Sequence, residues 1–443
     1  MTPADAPCPR TRARTIALLV GAALAWRLVL AARTPVPSGD GCSYLWIARQ
    51  FAEGRFALGL SEVFPPGFPL LCAPFVALGI DPWSVGLWIC CSTAALTVWP
   101  IVRIADHLRA NAGVPAAVLW ITSSLLARNA AEVFSEPTYL LAMACGTLSG
   151  LRAQWWRCGL WSGVAFWIRP EGVLLAASFA ILERRRALAL LLPTTLAVAA
   201  LAVLRWWHGH GLDPLPMLAF HVNERDDLPE RGNVLGNLLQ VPASCFEAFA
   251  GCAVLPLLLL VPRFRGAKNT AALVWQIVMQ IGAVVTFVTR RRFLLSAAVP
   301  VLTLGGTALA ALQPRVRIVV LTLLVSFELV TGWRGVTDAD RIAERQVGEY
   351  LRDHVEPGDR IVTDLTRILW FADRRPLWPR HFRVDELLAL AAEPATRFVA
   401  LRAKHATFPE LERGLAATWQ RATLPPDLDA SVRERGIAVF VRR

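Results

Sequence analysis

Between Ile16 and Trp333 the chain returns repeatedly to apolar runs near the ~20 residues a helix needs to cross a bilayer. A backbone at that depth cannot bond to water, so each run must satisfy its own N–H and C=O groups, and the α-helix does so within one segment. Only 18% of the 443 residues are charged, and the mean hydropathy is +0.45, which excludes an ordinary soluble enzyme. The expected fold is an all-α polytopic membrane core.

The net charge of +12 comes mostly from arginines clustered between apolar runs; lysine occurs only at Lys268 and Lys404. No basic stripe with stacking aromatics accompanies them, so no nucleic-acid partner is expected. The arginines act instead as topology markers. Spans are expected near 15–33, 83–104, 112–128, 136–151, 158–169, 171–183, 187–206, 242–262, 270–289, 293–312 and 317–333. Basic connectors at Arg10–Arg14, Arg103 and Arg109, Arg152 and Arg157, Arg184–Arg186, Arg263–Lys268, and Arg315 and Arg317 then share one side, the cytoplasmic one. This holds if Leu70–Ile80, too short to cross, is a juxtamembrane or half-inserted helix. The count, about eleven transmembrane helices, leaves the N-terminus inside and everything after Trp333 outside. The first span lacks a small-residue cleavage site and is read as a signal anchor. The expected location is a membrane, crossed many times.

After Trp333 the composition changes. Residues 341–354 have helical periodicity, and 360–364, 397–402 and 437–441 read as short strands. The expected organisation is a transmembrane core over 1–336, with its first outer loop at 34–82, and a small extracytoplasmic α/β domain over 337–443. The nine cysteines show no metal spacing; seven lie in or beside expected spans, Cys8 in the N-terminal tail and Cys42 in an exposed loop. Most of the seventeen tryptophans recur near span ends, as an interfacial belt does; Trp46, in the first outer loop, is the exception.

This topology isolates charges on the outer side, where ionisable groups near a bilayer tend to mark function. Asp40 stands in Ser38-Gly39-Asp40-Gly41-Cys42-Ser43-Tyr44. As a helix N-cap it would satisfy free backbone N–H groups; as a general base on a loop it would take the proton of an attacking hydroxyl, with glycines leaving room for substrate. Glu136, in Ser135-Glu136-Pro137, would cap the following span, orient the base or hold a divalent ion. Glu132 could as easily face water. In Arg169-Pro170-Glu171-Gly172 the two charges either pair with each other or leave Arg169 to line a lipid-phosphate site. Arg290-Arg291-Arg292 opposes the positive-inside bias. Anionic headgroups would satisfy one of them, but guanidinium groups bind phosphate oxygens in bidentate fashion, so a phosphate role is expected for at least one of the three, Arg292 before Arg291 or Arg290. His208, His210 and His221 lie in an outer loop with acids; solvated side chains are the simpler account, and His221 is the better metal candidate.

Together, Gly39-Asp40-Gly41 with Tyr44-Leu45-Trp46-Ile47-Ala48, Pro65-Pro66-Gly67-Phe68-Pro69-Leu70-Leu71, Ser135-Glu136-Pro137, Arg169-Pro170-Glu171-Gly172 and Arg292-Phe293-Leu294-Leu295 carry a resemblance. The chain resembles the bacterial C-type glycosyltransferases, the polyprenyl-phosphate-sugar-dependent enzymes related to protein O-mannosyltransferases and lipid A aminoarabinose transferases. The resemblance implies a multi-span core whose first outer loop carries the catalytic acid, here Asp40. It puts a second acid at Glu136 or Glu132 and a phosphate-contacting arginine at Arg292 or a neighbour. Tyr44, Glu136, Arg169, Arg291 and Arg292 are the substrate-binding candidates. Several relatives carry adjacent acids in the first loop, whereas Asp40 stands alone between glycines, so no metal assignment carries over. A divalent metal ion stays an open alternative, with Glu136 and His221 as its candidate ligands.

The expected activity is transfer of a hexosyl or pentosyl group from a polyprenyl-phosphate carrier to an extracytoplasmic glycan, lipid or protein hydroxyl, by an inverting single displacement within membrane lipid. The alternative is a transporter or flippase of lipid-linked saccharide, for which paired repeat halves with discontinuous helices would be expected.

Overall fold

Runs of Leu, Val, Ala and Trp without alternation favour helix, and the computed structural model is helical over most of the chain. It describes residues 9–214, 234–249, 270–287, 292–334, 339–375, 384–404 and 407–443. The chain divides into two compact units: Met1–Arg33 with Ile47–Val336, and Thr34–Trp46 with Thr337–Arg443.

In the first unit, five helical stretches among the described residues are long and apolar enough to cross a membrane: Arg12–Ala32, Pro82–Leu108, Arg184–Trp207, Phe293–Ala311 and the one beginning at Pro314. Their surroundings differ. Phe293–Ala311 is 89% buried within the protein, whereas Arg12–Ala32 and Arg184–Trp207 are 22% buried, with Leu18 and Leu188 turned outward. Apolar side chains on the outside of long helices suit lipid. Trp156, Trp206, Trp207 and Trp333 are exposed at helix ends, as an interfacial belt requires. Shorter apolar helices lie between these, at Gly113–Thr122, Pro170–Leu182 and Thr270–Thr286.

The anticipated short helix forms over Gly67–Ala77. The run expected as one span at 112–128 is instead two helices, Gly113–Thr122 and Ser124–Ala131, broken at Ser123. A break in an apolar interior frees backbone N–H groups. Here the Ser124 N–H donates to Glu328 Oε2 at 2.7 Å, and Glu328 is itself buried. The expected span at 242–262 begins earlier, with helix Val234–Phe249; its remainder lies outside the described residues.

The second unit is an α/β layer. Strands β1 (Arg360–Thr363), β2 (Thr396–Arg402), β3 (Trp419–Arg421) and β4 (Ile437–Arg442) form one sheet in the order β1-β2-β4-β3. β1 and β2 are parallel; β4 is antiparallel to β2 and β3, with Val399 opposite Phe440 and Ala400 opposite Val439. Period-two alternation sends Phe398 and Ala400 to one face with Val347 and Leu351 of helix Ala339–His354. Val399 and Leu401 go to the other, with Leu387, Phe408 and Leu411. Both faces are covered, so the central strands are apolar through their middles, Phe398–Leu401 and Ile437–Val441. The three anticipated strands form; the short edge strand β3 was not expected.

Candidate functional site

The candidate residues fall into two groups, one in each unit. In the membrane-embedded unit, Glu136 is the first residue of helix Glu136–Leu151 and Pro137 the second, where a missing N–H costs nothing. Glu136 does not cap its own helix. Arg169 ends helix Trp155–Ile168 in extended conformation, as the following Pro170 requires, and this releases its side chain from the helix surface. Its Nη1 donates to Glu136 Oε1 at 2.8 Å and its Nη2 to Glu171 Oε1 at 3.0 Å. The pairing anticipated within Arg169-Pro170-Glu171 therefore occurs, with Glu136 as a second partner.

Arg292 precedes the turn Phe293–Ala297 that leads into helix Ala298–Ala311, and brings its Nε to 3.5 Å from the same Glu136 oxygen. Its guanidinium lies 4.8 Å from the Phe134 ring centroid and 5.1 Å from that of Phe293, a cation–π setting that orients it. The two arginines differ in access: Arg169 is 7% exposed and Arg292 is 28% exposed. Glu136 Oε2 is buried and has no hydrogen-bond partner among the described residues. Arg290, Arg291 and His221 lie outside the described residues.

Glu136 is held by guanidinium groups, and two cations on one carboxylate oppose a third. The donor set does not fit a divalent ion there, and among the described residues no cluster of three His, Cys, Asp or Glu side chains could hold one. Glu132 is buried beside Arg128, at 3.5 Å, and does not face water; the apolar helix packing around it closes that face. His210 is half-buried and its ring nitrogen meets the Ala57 carbonyl, while His208 stacks on Phe56.

Three polar residues of this unit had not been singled out. Gln280 Nε2 donates to the Tyr139 hydroxyl at 3.3 Å, close beneath Arg169, whose guanidinium is 5.9 Å from the Tyr139 ring. Gln276 Oε1 accepts from Thr147 at 3.1 Å. Two glutamines four apart in an apolar run lie on one helix face, and that spacing was the available signal. Arg27, in the first span, is fully buried and donates to the Ala23 and Trp120 carbonyls.

In the other unit, helix Gly39–Ala52 starts one residue before Asp40, so the acid sits in its first turn and not on a loop. Nor is Asp40 the cap. Ser38 Oγ accepts the Gly41 N–H at 2.8 Å, and Ser38 O accepts the Cys42 N–H at 3.0 Å. Ser38 is the cap, and at the second helical position Asp40 still gains from the helix dipole, as an acid in a first turn does. Asp40 is half-buried, and a side chain added at Gly39 would meet nothing within 4 Å, so the approach beside the carboxylate is open. Tyr44 is buried at 3% exposure. Trp46 is buried too, with the Arg375 guanidinium 5.2 Å from its ring, and offers no open face to a sugar. Cys42 is buried rather than exposed, because it lies on the inward side of a short helix; burial pushes its thiol up to about 12, against a smaller opposing pull from Arg367.

The architecture has known counterparts. The crystal structure of ArnT from Cupriavidus metallidurans bound to undecaprenyl phosphate matches with a TM-score of 0.67, covering 96% of this chain and 97% of that one at 12% identity. The apo state of the same protein gives 0.66 at 13% identity, covering 97% and 98%. The archaeal oligosaccharyltransferase AglB from Archaeoglobus fulgidus, in complex with an inhibitory peptide and a dolichol-phosphate, gives 0.55 at 10% identity, covering 87% of this chain and 69% of that one. No protein-family model matches the chain, and no curated protein matches it by sequence. The chain therefore shares its fold with ArnT over nearly its whole length, and with AglB over most of it.

Proposed function

We propose that this chain is an integral membrane glycosyltransferase that moves one sugar from a polyprenyl phosphate carrier to an acceptor hydroxyl on the extracytoplasmic side. The observation that carries the reading is the arginine–carboxylate cluster of buried Arg169 and Glu136 with the more accessible Arg292, in a fold shared with an undecaprenyl-phosphate-bound protein. Arg292, the more accessible guanidinium, contacts the donor phosphate; Arg169 and Glu136 hold the surrounding charges in place.

In the reaction, the acceptor oxygen attacks the anomeric carbon, the bond from that carbon to the phosphate oxygen breaks, and configuration inverts. The acceptor proton goes to Asp40. Phosphate is already a good leaving group, so guanidinium stabilisation of its charge suffices without a general acid. On this reading the N-terminus is cytoplasmic, the C-terminal domain is extracytoplasmic, and the location is the bacterial inner membrane.

The test is transfer of radiolabelled mannose or aminoarabinose from undecaprenyl phosphate donors by purified protein, beside Asp40→Asn. Turnover by wild type alone supports the class and the base. Equal turnover by both removes Asp40 from the chemistry, and equal inactivity across donors with crude acceptors favours transport.

A further inference from the structure

The C-terminal residues do more in their unit than form a sheet. Thr34–Trp46, which contains Asp40, belongs to the same compact unit as Thr337–Arg443, and two arginines of the latter reach it. Arg367, on helix Thr366–Phe371, donates its Nε to the Pro37 carbonyl at 2.9 Å. Arg345, on helix Ala339–His354, donates its Nη1 to the Pro35 carbonyl at 3.1 Å. Both arginines are themselves held. Arg367 Nη1 binds Glu344 Oε2 at 2.6 Å, and the other oxygen of Glu344 accepts from Arg402 at 3.0 Å. Glu344 is only 2% exposed. Arg345 Nε binds Glu349 at 2.8 Å, with its guanidinium 5.4 Å from the Phe371 ring.

The targets of these bonds are chemically apt. Proline has no N–H and a locked φ, so the carbonyl is the main-chain handle it offers, and two prolines make 35–37 stiff. Fixing their carbonyls sets the direction in which Ser38 enters the helix it caps, and Asp40 lies two residues further on, in the first turn. We propose that Arg367, oriented by the buried Glu344, and Arg345 are positioning residues that hold the Asp40 carboxylate for proton transfer, so that the C-terminal unit is part of the catalytic apparatus. The proposal rests on Asp40 being the base. Misplacement of a catalytic group by about 1 Å is enough to lower a rate strongly, and a clamp of this kind acts on turnover more than on donor binding.

The experiment uses the full-length protein in detergent, with undecaprenyl phosphate donors carrying radiolabelled mannose or aminoarabinose, and Asp40→Asn, Arg367→Ala, Arg345→Ala and the exposed Arg352→Ala. Amide exchange of the 34–46 peptide is followed without donor. Arg367→Ala is expected to lower kcat by about tenfold or more, with donor KM changed less than about twofold. It should speed exchange at 38–42 and regain part of its turnover when guanidinium is added. Arg352→Ala should match wild type. If Arg367→Ala fails to fold, judged by size exclusion and thermal unfolding, Arg345→Ala carries the same readouts with the Glu344–Arg367 pair left intact. Wild-type kcat and exchange in a folded Arg367→Ala protein, beside an inactive Asp40→Asn, overturns the clamp alone. Full turnover by Asp40→Asn instead removes the base, and the clamp's role with it.

Discussion

Arg169 and Glu136, 33 residues apart in the chain, share a 2.8 Å hydrogen bond in which both side chains are less than a tenth exposed. Such a pair is less a source of stability than an obligation, because neither charge tolerates burial alone. Arg169→Ala is expected to destabilise the protein by about 3–5 kcal/mol. Glu136→Gln should cost less, since the amide oxygen can still accept the bond. Thermal unfolding in detergent measures both, and the Arg169→Ala/Glu136→Ala double variant should lose less than the sum of the two single variants.

Arg292 should behave differently. It is 28% exposed and approaches Glu136 at a longer 3.5 Å, so removing it leaves Glu136 still bound by Arg169. Arg292→Ala is expected to fold normally but to raise donor KM by about tenfold or more, and to weaken inhibition by free undecaprenyl phosphate in parallel. Arg292→Lys should recover part of this, because a point charge replaces a bidentate fork. Unchanged inhibition by undecaprenyl phosphate in Arg292→Ala would count against the phosphate assignment.

Gly67, in the Pro65-Pro66-Gly67 stretch, tests packing. A Cβ there would lie 2.5 Å from the Trp167 carbonyl oxygen and 2.6 Å from its carbon, both main chain and unable to move aside cheaply. Gly67→Ala should therefore destabilise by about 1–3 kcal/mol through forced separation of helices Gly67–Ala77 and Trp155–Ile168. The melting temperature and membrane yield would report it; a wild-type melting curve would remove the close approach as the reason for glycine.

Cys42 gives a pH signature. Its thiol is raised from 9.0 to about 12 by burial, so in the folded protein it stays protonated where an unfolded thiol ionises. The native state then holds a proton that the unfolded state has lost. This contribution to stability is complete below pH 9.0 and declines as pH rises from there to about 12. Maleimide labelling of the native protein, mapped by mass spectrometry, should spare Cys42 at pH values below that window and reach it only on unfolding. Cys42→Ser, which keeps the volume but not the raised thiol, should flatten the stability loss across the window.

Much of the architecture is local information. Apolar runs specify helices because a backbone away from water must bond within its own segment, and alternation in the last hundred residues specifies strands because side chains there have period two. Asp40, Glu136, Arg169 and Arg292 could be picked out from the sequence because charge at a membrane surface stands against its surroundings. What each of them does was decided only by packing. Ser38, not Asp40, caps its helix; Glu136 serves Arg169 instead of its own helix end; Cys42 turns inward. The break at Ser123 is tolerated because Glu328, about two hundred residues later, supplies the acceptor for Ser124. The Asp40 segment joins the C-terminal unit through bonds to Arg345 and Arg367, more than three hundred residues away. Periodicity depends on neighbours within a few residues, so the sequence carries it directly. Which donor meets which acceptor across such separations depends on how whole helices pack, and that is settled only when the chain is folded.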